Sequence, residues 1–96
     1  MRRENSRSIS EVIKELIEAY KLNDKLIESR IIISWKEVAG EYIAKHTNKV
    51  YIKDKVLYVK IHSSIIKQEL RMVHDDLLNK INTLAGSQYI KRIIFI

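Results

Sequence analysis

The residues best suited to metal binding or proton transfer in this chain are His46, His62 and His74. None has a second histidine or a cysteine at ligand spacing, and the chain holds no cysteine at all, so no metal site is expected. His46 beside Thr47 reads instead as closing a helix-to-strand connection through side-chain hydrogen bonds. Ser63-Ser64 offers hydroxyls, but a nucleophilic serine needs a placed base and an oxyanion hole, and no Gly-x-Ser-x-Gly elbow surrounds the pair. A helix N-cap is the better reading. Asp75-Asp76 imitates a catalytic carboxylate pair only in letters, because adjacent helical residues point about 100° apart. Gly40 and Gly86 are the only glycines, too few for a P-loop or a dinucleotide fingerprint. An enzyme is therefore not expected, nor is a cofactor or a small-molecule substrate.

Binding chemistry is better represented from Lys49 onward, where the hydropathy period becomes two. Alternation that buries Val50, Ile52, Leu57, Val59 and Ile61 exposes Tyr51, Lys53, Tyr58 and Lys60 on the other face. Tyrosine rings can stack on unpaired bases while lysines meet phosphates, with Arg92 joining from the last strand. Lys67 and Arg71, four apart on a helix, can extend the basic track. The ordinary alternative is a solvated sheet face. Nonspecific affinity from such charges is typically about 10⁻⁴ to 10⁻⁶ M at physiological salt, which favours a role in which protein contacts set specificity and nucleic acid assists.

Charge distribution points the same way. The formal net charge is +6; residues 1–48 carry 9 Lys+Arg against 8 Asp+Glu, and residues 49–96 carry 9 against 4. Attraction to nucleic acid, an anionic membrane surface or an acidic protein follows. The 96 residues, 46% of them hydrophobic, fit one domain over residues 8–96 behind a flexible segment at 1–7. No apolar run approaches the roughly 18 residues that a membrane span needs, the clearest being Ile31 to Ile33 and Ile93 to Ile96. Together with the lack of cysteine, this makes cytoplasm the expected location.

The elements that must position these residues read as follows. Ser8 and Glu11 form a capping box before Ile9, Val12, Ile13, Leu16, Ile17 and Tyr20, predicting a helix from Ser8 that ends before Asn23. After the Asn23-Asp24 break, Ile27, Ile31, Trp35 and Val38, widened by Leu26 and Ile33, predict a second helix closing at Gly40, with Trp35 as a core anchor rather than an interface residue. A further short turn of helix passes Tyr42 and Ile43. A hairpin turns at Asp54-Lys55. Ser63 or Ser64 then caps one long helix with the stripe Ile66, Leu70, Val73, Leu77, Ile81 and Leu84, closed by Gly86. Tyr89 to Ile96 predicts a last strand, parallel to the second through the intervening helix. The fold class is α+β, ordered α-α-β-β-α-β, with helices on one face of a three-stranded sheet.

Trp35-Lys-Glu-Val38-Ala39-Gly40-Glu-Tyr-Ile43-Ala44-Lys-His46-Thr47 is similar to the Trp-x-x-Val-x-Gly-x-x-Ile-Ala-x-His-Thr pattern of the DciA family of bacterial replicative-helicase loaders. Leu57-Tyr-Val59, then Ser63-Ser64-Ile-Ile-Lys-Gln68-Glu69-Leu70, and the closing Ile93-Ile94-Phe95 resemble further blocks of that family in its own order, so the resemblance covers roughly residues 9–96. It implies a KH-like fold, mostly structural roles for these motif residues, and a non-enzymatic adaptor that binds and helps load the DnaB-type replicative helicase; the basic, tyrosine-bearing sheet face adds single-stranded DNA as an auxiliary partner. Two features depart from the pattern: Ile66 stands where the family usually has tryptophan, and the long basic tail of many members does not follow Ile96. The Gly-x-x-Gly clamp of ordinary KH domains is also missing, so DNA contact is expected to be weak and centred on the basic second half. The alternative function is a stand-alone single-stranded DNA- or RNA-binding module.

Overall fold

The computed structural model of the chain describes residues 8–96; the flexible segment expected at residues 1–7 lies outside them. Helix α1 spans Ile9–Ala39, 31 residues without interruption. Its start follows the capping pattern: the Ser8 hydroxyl accepts the Glu11 N–H at 3.2 Å and donates to the Glu11 carboxylate at 3.4 Å. The break expected at Asn23-Asp24 does not form. Asparagine and aspartate inside a helix cost at most about 0.7 kcal/mol each relative to alanine, no glycine or proline intervenes, and Tyr20, Ile27, Ile31, Trp35 and Val38 stay in helical phase across the pair. Two expected helices are therefore one. Leu26 and Ile33, expected to widen the second stripe, are exposed. The helix stops at Gly40, whose φ of 90° and ψ of 164° lie in a region essentially reserved to glycine, and the chain turns into α2, Glu41–Lys45.

Strands β1 (Thr47–Lys53) and β2 (Val56–Ile61) form the expected antiparallel hairpin, with Tyr51 opposite Tyr58 and Lys49 opposite Lys60. Asp54 and Lys55 make its turn with φ of 51° and 63°, the pair of positive values that lets a two-residue turn follow the twist of its strands.

The single long helix expected next is two helices, α3 (Ser64–Met72) and α4 (His74–Ala85). Ser63 caps α3 by accepting the Ile66 N–H at 3.2 Å, and Gly86 closes α4 in the left-handed conformation. Between the helices Val73 leaves helical geometry, with φ −110° and ψ 22°. Two features hold the break: Asp75 and Asp76 complement the dipole of the new N-terminus, and His74 Nε2 accepts the Ile93 N–H at 2.9 Å, tying the restart to the last strand. The stripe shifts in consequence. Ile66, Leu70, Leu77 and Ile81 are buried, Val73 and Leu84 are exposed, and Ala85 takes the final buried place.

Strand β3 (Arg92–Phe95) is shorter than the Tyr89–Ile96 expected, and it pairs parallel with β2. Upstream of it, the Asn82 side chain binds both backbone groups of Ile90, donating to its carbonyl and accepting its N–H at 3.0 Å each. Ile90 thus pairs with a side chain instead of a strand. The sheet order is β1-β2-β3. Leu57, Val59, Ile61, Ile93 and Phe95 on one sheet face pack with Ile31, Trp35, Ile66, Leu70, Leu77 and Ile81, so the helices form one layer over a mixed three-stranded sheet. The class is α+β, in the order helix-helix-strand-strand-helix-helix-strand.

Candidate nucleic-acid interface

The sheet face turned away from the helices carries the residues that alternation places opposite the core. Cross-strand register sets Tyr51 against Tyr58, Lys49 against Lys60, Lys53 against Val56, Val56 against Arg92 and Tyr58 against Ile94. Directly paired residues share a face, so Tyr51, Lys53, Tyr58, Lys60 and Arg92 come together. Lys53, Lys60 and Arg92 are exposed, and both tyrosines are half-buried.

The tyrosine rings lie 5.0 Å apart with 11° between their planes, and Lys49 Nζ sits 5.2 Å from the Tyr51 ring centre. Each tyrosine therefore spends one face on the other, and a lysine covers more of Tyr51. A base reaching this surface must displace Lys49 or stack at the far side of Tyr58. Lys49 was missed among the site candidates, although the period-two pattern that begins at it places it on the same face. Its position opposite Lys60 matters electrostatically, because like charges directly paired across strands destabilise a sheet and an anion between them relieves that repulsion. A second basic-aromatic pair stands by the hairpin turn, where Lys55 Nζ lies 5.4 Å from the Tyr89 ring centre. The Tyr89 hydroxyl donates to the Glu28 carboxylate at 2.6 Å; partial burial first, and that carboxylate second, push its pKa well above the ordinary phenol value.

Lys67 and Arg71 are placed elsewhere. Both lie on α3, which packs through Ile66 and Leu70 against the opposite, core face of the sheet. Lys67 is half-buried, and the Arg71 guanidinium donates to the Phe95 carbonyl at 3.1 Å. They do not join the tyrosine face.

The remaining motif residues form a structural joint. Trp35, 2% exposed, donates its indole N–H to the Thr47 hydroxyl at 3.1 Å, and Thr47 donates to the Ile43 carbonyl at 2.8 Å. His46 Nδ1 lies 3.0 Å from the Tyr42 carbonyl, with the two rings 4.7 Å apart. This chain of bonds fixes α1, α2 and the start of β1 relative to one another, with Gly40 at the corner. In the second block Ser63 caps, Ser64 opens α3 and Leu70 enters the core, while Gln68 and Glu69 face solvent. A groove between α1 and α4, lined by Glu37, Val38, Asn79, Lys80, Thr83 and Leu84, is open and holds neither histidine nor serine. Among the described residues no three His, Asp or Glu side chains gather as a ligand set, and no helix is long and apolar enough to cross a membrane.

Comparison with known proteins agrees with the motif blocks. The family model described as "Dna[CI] antecedent, DciA" matches residues 8–95. The chain is 31% identical over 75 residues to a UPF0232 protein "in recF-gyrB intergenic region" of Mycolicibacterium smegmatis, covering 78% of this chain and 39% of that protein. It is also 31% identical over 67 residues to a UPF0232 protein of Rhodococcus jostii (strain RHA1), covering 70% of this chain and 36% of that one. The chain thus spans less than two fifths of the length of these curated relatives. The match nevertheless takes in every element from the Ser8 cap to β3: the chain belongs to the DciA family.

Proposed function

We propose that this chain, with residues 8–96 acting as one domain, is a non-enzymatic cytoplasmic adaptor of bacterial DNA replication. In this reading it binds the DnaB-type replicative helicase and helps deliver it to DNA, and the outward sheet face makes weak, auxiliary contact with single-stranded DNA. The observation that carries the helicase reading is the family match over residues 8–95. The DNA component rests on the clustering of Lys49, Lys53, Lys60 and Arg92 around the stacked tyrosines.

The test is direct binding to the purified replicative helicase of the source organism, by pull-down and calorimetry, with both proteins shown to be folded. Complex formation at micromolar concentration is expected, and its absence there counts against the reading. For single-stranded DNA, four phosphate contacts imply a salt slope of about −3, so raising salt from about 50 to 200 mM should weaken binding about 50-fold.

The second reading, a stand-alone single-stranded DNA- or RNA-binding module, is favoured by the same basic-aromatic face. The two differ in affinity and dependence. Submicromolar nucleic-acid binding that collapses in Tyr51→Ala/Tyr58→Ala, with no helicase complex, would select the module.

A further inference from the structure

In the first three turns of α1 the apolar residues Ile9, Val12, Ile13, Leu16, Ile17 and Tyr20 lie in solvent, between 39% and 79% exposed. These six side chains form one stripe at helical spacing. It is in phase with Ile27, Ile31, Trp35 and Val38 of the same helix, which face the core. The apolar face that holds the domain together thus continues past the core into solvent.

We infer that this stripe is a self-association surface, covered by the same stripe of a second copy of this chain running antiparallel to it. Three observations lead to that occupant. The first is area. By their fractional exposures the six residues leave on the order of 600 Å² in solvent, at the upper end of the ~300–600 Å² of the largest patch on an ordinary monomer.

The second is charge. Residues 8–26 carry three lysines (Lys14, Lys21, Lys25) and four carboxylates (Glu11, Glu15, Glu18, Asp24), in a chain whose net charge is +6. Two copies of this nearly neutral segment meet without net repulsion. An anionic membrane surface or a nucleic acid would find no net positive charge on these turns.

The third is direction. Because the stripe shares its phase with the core-facing residues, the body of the domain stands on the same side of α1 from about Ile27 onward. A parallel partner helix would carry its own domain into that space. An antiparallel one fits against the bare turns and ends where the domain begins.

An antiparallel register that sets Ile9 against Tyr20 of the second copy also sets Ile13 against its Leu16. The twofold axis repeats both layers, giving four layers without a polar residue. The start of each helix, where free N–H groups carry partial positive charge, then lies about one turn from Asp24 of the other copy.

Sedimentation velocity on the full chain, from a few micromolar to about 0.5 mM, tests the inference. A concentration-dependent dimer is expected. Ile13→Glu and Leu16→Glu should weaken it at least about 100-fold, since each buries a charge in the centre of the pair. At concentrations where the parent is monomeric, their thermal midpoints should match the parent's, because neither side chain enters the core. A nitroxide on Lys25→Cys reads direction: the register above separates the two labels by roughly 30 Å along the helices, whereas a parallel pair holds them within about 20 Å. A chain that stays monomeric to the highest concentration, a dimer that survives both glutamate variants, or a short label distance would overturn the inference. A monomeric chain whose stripe variants lose a helicase complex would overturn it equally, by showing that the helicase covers the stripe.

Discussion

The two halves of α1 are built on one pattern and meet opposite fates. Ile27, Ile31, Trp35 and Val38 lie against α4 and the sheet, with Ile31 wholly buried, while Ile9, Ile13, Leu16 and Tyr20 repeat the spacing in solvent. Amphipathicity therefore marks a face that can be buried; which half is buried depends on what stands beside it. The C-terminal half also has anchors beyond apolar area. Trp35 bonds Thr47, Glu28 accepts from Tyr89, and the Arg30 guanidinium donates to the Ala85 carbonyl at 3.3 Å. The first three turns start from the local Ser8 cap and hold their apolar side chains in solvent.

Four substitutions sharpen this contrast, each measured at concentrations where the chain is monomeric. The largest loss is expected for Trp35→Ala, about 3–5 kcal/mol by chemical denaturation, because it removes a large core side chain together with its hydrogen bond. Asn23→Pro costs a helix about 3 kcal/mol locally, but the penalty should fall on turns that support nothing. Ellipticity at 222 nm should drop while the thermal midpoint of the domain stays put; a midpoint that falls with it would mean that the two halves are coupled. Thr47→Val leaves the buried indole N–H without its acceptor and should cost about 1–3 kcal/mol, with the outward tyrosine face undisturbed. Leu16→Gln should lie within about 0.5 kcal/mol of the parent. A larger effect would show the bare turns packing on the domain in solution.

The same division between local and distant causes explains what could be read ahead of the structure. The Ser8 and Ser63 caps, the Gly86 closure and the Asp54-Lys55 turn depend on residues within a few positions of each other, and the one-dimensional pattern contains them. The outward set Tyr51, Lys53, Tyr58 and Lys60 was legible because a strand has a period of two. Lys49 belonged to that same period. By contrast, the break at Val73 is held by His74 accepting from Ile93, 19 residues away. The shortening of β3 follows from Asn82 occupying both backbone groups of Ile90. Lys67 and Arg71 sit at sound helical spacing, but only packing shows that their helix covers the other side of the sheet.

For this protein, then, the sequence alone determined the kinds of element, the two faces of the hairpin, its register and the family, because each is written in short-range periodicity or in ordered motif blocks. Tertiary structure decided that the Asn23-Asp24 pair is crossed in helix, that the long helix divides, and that half of the first stripe remains bare. The physical reason for the last is length. A 31-residue helix extends about 46 Å, whereas the 12-residue α4 that packs beside it covers about 18 Å. A face can be buried only as far as a neighbour reaches, and the reach of α4 along α1 is a property of the assembled domain.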